Sequence, residues 1–84
     1  MMAHAYDYRI NLKKTGLQIR KLRLERGLSM EYMRDFFNCS LQTLYRWESG
    51  TSLPCIENQF AMARLFGVSM DDLIVGETCL REAA

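Results

Sequence analysis

The sequence has little histidine, proline or cysteine and no long apolar run. One histidine, His4, and three widely spaced cysteines without a Cys-x-x-Cys pair cannot supply the four well-spaced ligands of a zinc site. A membrane-spanning helix needs about 18 consecutive apolar residues, and no apolar run in the sequence approaches this length. The first residues also lack the apolar middle segment of a secretory signal. We therefore expect no metal, no membrane segment and a cytoplasmic location.

Reactive side chains are few, and none is arranged for catalysis. The sequence shows no nucleophile with a nearby base and no glycine-rich phosphate loop, so we expect neither enzyme activity nor a cofactor. Cys39, Cys55 and Cys79 are predicted to be reduced thiols that fill small apolar spaces. An intermolecular disulfide through Cys79 is the alternative.

What the chain does contain is the composition of one folded domain. Its 84 residues leave room for a single core, and 49% hydrophobic with 25% charged residues is typical of globular proteins. Residues 1–46 carry nine Lys and Arg against four Asp and Glu, whereas residues 47–84 carry two against six. This asymmetry is compatible with a polyanion-binding face, although solvated helix faces would show it too.

Apolar spacing and end signals predict five helices between about residue 15 and residue 76. The first four are expected over about 15–26, 30–37, 41–48 and 56–66, and the fifth follows Ser69. Serines at 29, 40 and 69 mark starts, glycines at 27, 50 and 67 mark ends, and Asn38 stands where the backbone needs positive φ. The residues predicted to face inward are Ile19, Leu22 and Arg26, Met33 with Phe36 or Phe37, Leu44 and Trp47, Ile56, Phe60, Ala63 and Phe66, and Leu73 with Ile74.

The two ends of the chain have a different pattern. Tyr6, Tyr8, Ile10 and Leu12 alternate with polar residues, which predicts a half-buried strand. A single strand is stable only when it pairs. It can pair with its copy across a dimer or with a C-terminal segment such as 73–77, or it can remain an unpaired arm. Residues 1–14 are thus an arm or strand, 15–76 the helical domain, and 77–84 a short tail, helical or frayed.

The second and third predicted helices are short and are joined by the turn 38–40. This arrangement lets the second helix of such a pair enter the major groove of DNA. The side chains that face the groove stand one, two, five and six places after the helix cap. These positions hold Leu41, Gln42, Tyr45 and Arg46.

Several fragments carry a family resemblance by their order and spacing. They are QIRKLR at 18–23, GLS at 27–29, SLQTLYRWESG at 40–50, LP at 53–54, IEN at 56–58 and LFGVSMDDL at 65–73. Over about residues 15–75 the chain resembles the phage repressor-like helix-turn-helix proteins of the Cro/CI or xenobiotic-response-element type. The resemblance implies an all-α fold, a compact five-helix lambda-repressor-like domain that binds operator DNA, usually as a dimer.

The resemblance also implies roles for single residues. Leu41, Gln42 and Arg46 match the family's base-reading positions, with Tyr45 beside them. Gln42 can pair with adenine and Arg46 with guanine, each bidentate pair giving about 1 to 3 kcal/mol of discrimination. Leu41 can contact a thymine methyl group.

Other matched positions contact phosphates or hold the domain together. The phosphate positions are Met30, Thr43, Ser49, Thr51 and Ser52, and Lys13, Lys14, Arg20 and Arg34 are expected to add salt-dependent attraction. Met30 stands where many relatives have a glutamine, whose hydrogen bonds Met cannot make. Arg34 stands where a small residue is usual. Arg23 and Glu48 match an ion pair between the first and third helices that fixes the reading helix on the bundle.

These features favour a sequence-specific, dimeric DNA-binding regulator of transcription, which we expect to be a repressor. Two copies would reach successive major grooves about 34 Å apart, so the operator should be near-palindromic. The alternative is a protein-binding module, for example an antitoxin, whose DNA binding serves autoregulation. Exposed Tyr6, Tyr8 and Ile10 would favour that alternative, because exposed apolar residues mark protein partners.

Overall fold

Five helices lie between two short strands, one at each end of the described chain. The computed structural model describes residues 6–80, with side-chain surroundings for 8–78. The elements are β1 (Tyr6–Ile10), α1 (Leu12–Glu25), α2 (Met30–Phe37), α3 (Leu41–Ser49), α4 (Ile56–Phe66), α5 (Met70–Leu73) and β2 (Gly76–Leu80). Within this part, no helix is long and apolar enough to cross a membrane. His4 and the side chains of Tyr6 and Cys79 lie outside the described residues.

Most helix starts are set by a side chain that is local in sequence. Ser29, Ser40 and Ser69 each accept a hydrogen bond from the backbone N–H three residues later, as predicted. Asn11 does the same for Lys14 at 2.9 Å and starts α1 at Leu12. The predicted start at about residue 15 was therefore too late, and Leu12 is helical rather than the end of the strand.

The short strands pair with each other at the two ends of the chain. β1 and β2 are antiparallel, with Tyr8 opposite Thr78 and Ile10 opposite Gly76. Of the three possible partners for β1, the structure contains a C-terminal segment, although this is 76–80 rather than the suggested 73–77. Residues 77–80 are therefore in a strand, and the prediction of a helical or frayed tail was wrong for them. Asn11 N–H also donates to Val75 O at 2.8 Å, which links the start of α1 to the residue before β2.

The helices enclose one hydrophobic core. Its buried members are Ile19, Leu22, Met33, Leu44, Trp47, Met62, Ala63, Phe66 and Leu73. Phe37 is half-buried and packs edge-on against Trp47, with ring centroids 5.7 Å apart. Phe36, its neighbour, is exposed. Of the two candidates for the inward position, Phe37 is thus the one that packs on the core.

The face that α4 buries differs from the predicted one. Ile56 and Phe60, expected inside, are exposed, while Gln59 is buried. Burial of this amide is compensated because its Nε2 donates to Pro54 O at 2.8 Å. Apolar residues occur on both sides of this helix, so spacing alone could not choose between them.

Arg26 is also placed differently from the prediction. It is exposed and is the C-cap residue of α1, not part of an inward stripe. Its Nε donates to Phe66 O at 2.9 Å, so the side chain links the ends of α1 and α4. Cys55, expected as an apolar filler, is likewise exposed and precedes α4 without capping it by its side chain.

Candidate nucleic-acid interface

The turn between α2 and α3 is tight and stabilised by its own side chains. Asn38 ends α2 with a left-handed φ of 51°, which Asn tolerates better than most residues. Ser40 then starts α3, because its Oγ accepts from Thr43 N–H at 3.1 Å. The Ser40 and Thr43 hydroxyls are also 2.9 Å apart. This local network sets where the first turn of α3 begins.

One face of α3 is buried and the opposite one is free. Leu44 and Trp47 are in the core. Gln42, Tyr45 and Arg46 are exposed, and Tyr45 retains 59% of its accessible surface. The side chains of these three form no hydrogen bond or ion pair with the residues that the structure describes. Their polar groups therefore remain available to an external partner.

Leu41 lies at the edge of that free face. It is half-buried and packs against the core. Its side chain thus serves the interior as well as the surface, unlike the three side chains beside it. The structure brings Leu41, Gln42, Tyr45 and Arg46 together in the first two turns of α3.

The orientation of α3 is determined largely by α1. Arg23 donates to both carboxylate oxygens of Glu48, from Nε to Oε2 at 2.7 Å and from Nη2 to Oε1 at 3.3 Å. Its Nη1 also donates to Leu28 O at 2.9 Å. The ion pair implied by the family resemblance is therefore present, with all three guanidinium nitrogens of Arg23 engaged.

The sequence-based reasoning missed a glycine that lets α1 and α3 approach. A Cβ placed on Gly16 would lie 2.7 Å from Trp47 O and would also collide with Glu48 O, both of them backbone atoms. A side chain at this position would push α3 away from α1. The available signal was a glycine inside a helical pattern, which often marks a close backbone approach.

One of the phosphate candidates on α1, Lys13, lies beside the end of α3. Lys13, Lys14 and Arg20 are exposed. Gly50, which ends α3, packs so closely on α1 that an added Cβ would be 2.6 Å from Lys13 Cα. The first turn of α1, which carries Lys13 and Lys14, therefore lies against the end of α3.

The polar groups at the end of α3 and in the loop after it are hydrogen-bonded within the chain. The hydroxyls of Ser49 and Thr51 are 2.9 Å apart. The N–H groups of Thr51 and Ser52 both donate to Arg46 O, at 2.9 and 3.3 Å. These two N–H groups are thus engaged within the chain. Ser49 Oγ also donates to Arg46 O at 3.2 Å, so a phosphate at this loop would have to replace one of these internal hydrogen bonds.

The two candidates on α2 have different surroundings. Met30 is half-buried and packs against the core, so it offers no polar group to DNA. Arg34 is half-buried, and its Nε donates to Asp35 Oδ1 at 3.1 Å. An arginine thus takes the place of the usual small residue by turning its guanidinium to the surface beside Asp35, as an amphipathic side chain can.

Comparison with known proteins agrees with this geometry. A family model described as helix-turn-helix matches residues 19–73, well over half of the chain. The chain belongs to the helix-turn-helix family. This confirms the resemblance and the all-α fold expected from it, and it makes the chain a DNA-binding domain of that family.

A curated relative also matches this helix-turn-helix domain. It is the HTH-type transcriptional activator BcrR of Enterococcus faecalis, 28% identical over 60 residues, which are 71% of this chain and 29% of that protein. The chain thus spans less than a third of the length of this relative. No solved structure matches the chain significantly.

Proposed function

We propose that this helix-turn-helix chain regulates transcription by reading a near-palindromic operator as a homodimer, with α3 as the recognition helix. One observation supports this above all: Gln42, Tyr45 and Arg46 share an exposed face of α3 while Leu44 and Trp47 anchor the opposite face. A helix anchored in this way can insert its first turns into the major groove, which is about 12 Å wide.

Each side chain on that face has a chemistry suited to a base edge. Arg46 can donate two parallel hydrogen bonds to guanine, and Gln42 can both donate to and accept from adenine. Tyr45 adds a phenol beside them. The methyl groups of Leu41 are suited to a thymine methyl, and its partial burial limits how far it can move.

Phosphate contacts would set the register of the helix without reading sequence. The surface formed by Lys13, Lys14 and the hydroxyls of Ser49 and Thr51 lies at the end of α3 and supports such a role. Ser52 in the same loop, and Thr43 in the first turn of α3, would add to these contacts. Arg20 and Arg34 would contribute through charge, whereas Met30 would act by packing.

Selection from random duplexes with the purified chain, at a stated salt concentration, tests the proposal. We expect an enriched palindrome whose half-site centres are about 10 base pairs apart, because each copy would enter one major groove on the same side of the duplex. Recovery of unenriched sequence, with binding that depends on salt but not on sequence, would refute sequence-specific reading.

We further propose that the regulator represses. A dimer on an operator that overlaps a promoter blocks access by occupancy alone, whereas activation requires an additional favourable contact with the transcription machinery. A reporter placed behind the selected operator tests the sign. Lower expression in the presence of the chain is expected, and higher expression would contradict repression without affecting the assignment of α3.

A protein-binding role remains the second candidate because of one exposed strand. Tyr8 retains 82% of its accessible surface, and Ile10 is also exposed. Deleting the N-terminal residues would be a poor test, because β1 pairs with β2 and Asn11 caps α1. Replacing Tyr8 by Ser instead leaves the backbone pairing in place. Loss of a stoichiometric cellular partner with this variant, at unchanged DNA binding, would favour the second role.

A further inference from the structure

The outer face of α4 carries apolar side chains that the core does not use. Ile56 retains 67% and Phe60 58% of their accessible surface. Together with Glu57 they line an open surface groove. The inner face of the same helix is fixed by Met62, Ala63 and Phe66, so α4 cannot rotate to bury the outer pair.

Two opposite charges flank this apolar face. Glu57 lies in the first turn of α4 and Arg64 in the last turn, seven residues apart and therefore on the same side of the helix. Arg64 Cζ lies 5.8 Å from the centroid of the Phe60 ring. Neither charge forms an ion pair with any residue between 6 and 80.

We propose that a second copy of this chain docks on this face, with the two α4 helices antiparallel about a two-fold axis near Phe60. The inference rests on the proposed function, which requires a dimer. In a two-fold contact the same patch meets itself, so it must be self-complementary. In the antiparallel arrangement Glu57 of each copy faces Arg64 of the other, and the exposed rings cover each other.

The charge pattern favours this face over the exposed apolar faces of α1 and α2. On α1, Leu17 and Leu24 are exposed, but Arg20 and Lys21 lie between them. Two copies meeting there would bring positive charges together, which weakens association.

The exposed pair on α2 is similarly unsuited to self-association. Tyr32 and Phe36 stack with ring centroids 6.2 Å apart. Glu31 and Asp35 precede them by one residue each, and Arg34 is paired with Asp35 in the same chain. A second copy on this face would find no free positive charge opposite Glu31. Among these three faces, α4 alone carries free charges of both signs at matched positions.

Charge reversal tests the contact directly in the full chain. In Glu57→Arg both charges of the face become positive, and in Arg64→Glu both become negative. We expect each variant alone to raise the dimer dissociation constant by about tenfold, because two attractive pairs become repulsive. An equimolar mixture of the two variants, and the double variant E57R/R64E, should each restore the dimer to nearly the wild-type value.

Sedimentation equilibrium over a range of concentrations measures the dimer, and circular dichroism checks that each variant folds. Glu31→Arg is the matched control, since it reverses the first-turn acid of another helix, and it should leave the dimer unchanged. Any of three results would overturn the proposal. These are a wild type that is monomeric both free and on a two-half-site duplex, single variants that associate like the wild type, and a mixture of the variants that does not restore the dimer.

The two proposals can fail separately. Binding of the variants to a single half-site depends on α3 and should match the wild type. If the wild type selects no duplex but the charge reversals behave as expected, the DNA-reading proposal fails and the α4 contact stands. If half-site binding is sequence-specific but the reversals leave the dimer unaffected, the α4 contact fails.

Discussion

Arg23 on α1 and Glu48 on α3 form a bidentate ion pair in which the side chains retain only 9% and 10% of their accessible surface. The Arg23 guanidinium also donates a hydrogen bond to Leu28 O in the loop between α1 and α2. One residue therefore connects the first helix, the loop that follows it and the recognition helix. A buried pair gains little net stability over apolar packing, so its value lies in orientation.

Removing one partner of this pair should lower the free energy of unfolding by far more than the intact pair contributes to it. Arg23→Met leaves the Glu48 carboxylate nearly buried without a counter-charge, and we expect the free energy of unfolding to fall by about 3 to 5 kcal/mol. Urea unfolding followed by Trp47 fluorescence measures this. Lys21→Met, on the exposed side of α1, is the control. A loss below about 1 kcal/mol would mean that water reaches Glu48 freely.

Gly16→Ala should destabilise the protein although alanine is the better helix former. The added methyl group meets the backbone oxygens of Trp47 and Glu48, which cannot turn away. We expect a loss of about 1 to 3 kcal/mol from overpacking. Gly27→Ala is the comparison, because nothing lies within 4 Å of its Cβ position and the cost comes only from its φ of 67°, about 1 to 2 kcal/mol. Weaker operator binding should accompany the Gly16 change alone, since it displaces α3.

Arg46→Ala should weaken the selected site by about 1 to 3 kcal/mol and relax preference at one base pair in each half-site. The reason is the loss of a bidentate donor on the exposed face of α3. Parallel selections with wild type and variant measure the preference. Lys21→Ala is the control and should retain the full preference. An unchanged preference in the Arg46 variant would remove this residue from the base-reading set.

Lys13→Ala should affect all DNA sequences alike. The residue lies on the exposed first turn of α1 beside Gly50, and loss of one phosphate contact should reduce the slope of log affinity against log salt by about 0.9. Titrations at several salt concentrations on the selected site and on an unrelated duplex measure the slope. A loss confined to the selected site would contradict a phosphate role.

Cys39 should react with alkylating agents more slowly than Cys55. Burial raises the pKa of the Cys39 thiol from its ordinary value of 9.0, so less of it is thiolate at any pH below that value. Cys55 is exposed. Peptide mapping after brief iodoacetamide treatment at pH 7.5 measures the two rates. Equal rates would mean that the Cys39 thiol is accessible to the reagent most of the time.

Much of the candidate site follows from signals a few residues long. Ser40 as cap and the three-residue spacing of Leu44 and Trp47 place Gln42 and Arg46 on the outer face before any tertiary contact is known. The chemistry of these outer side chains is likewise a property of the sequence. What they touch stays a prediction, since DNA recognition needs the second molecule.

Two predictions, the start of α1 and the inward face of α4, were wrong because the local sequence was compatible with two structures. Asn11 is compatible both with the end of an alternating strand and with a helix cap. In the structure it caps α1, and its backbone N–H bonds to Val75 O, which is distant in sequence. On α4, apolar side chains on both sides left the inward face undecided. The core decided it, because Met62, Ala63 and Phe66 pack inside and the Gln59 amide buried on the same face donates to Pro54 O.

Local signals in the sequence place at least one end of each of the five helices and identify the side chains that α3 exposes, because caps and helical periods act over three or four residues. The tertiary structure alone decided that β1 pairs with β2, that Gly16 allows α1 to contact α3, and that Ile56 and Phe60 remain outside. These outcomes depend on groups far apart in the chain, and their partners exist only once the core has closed.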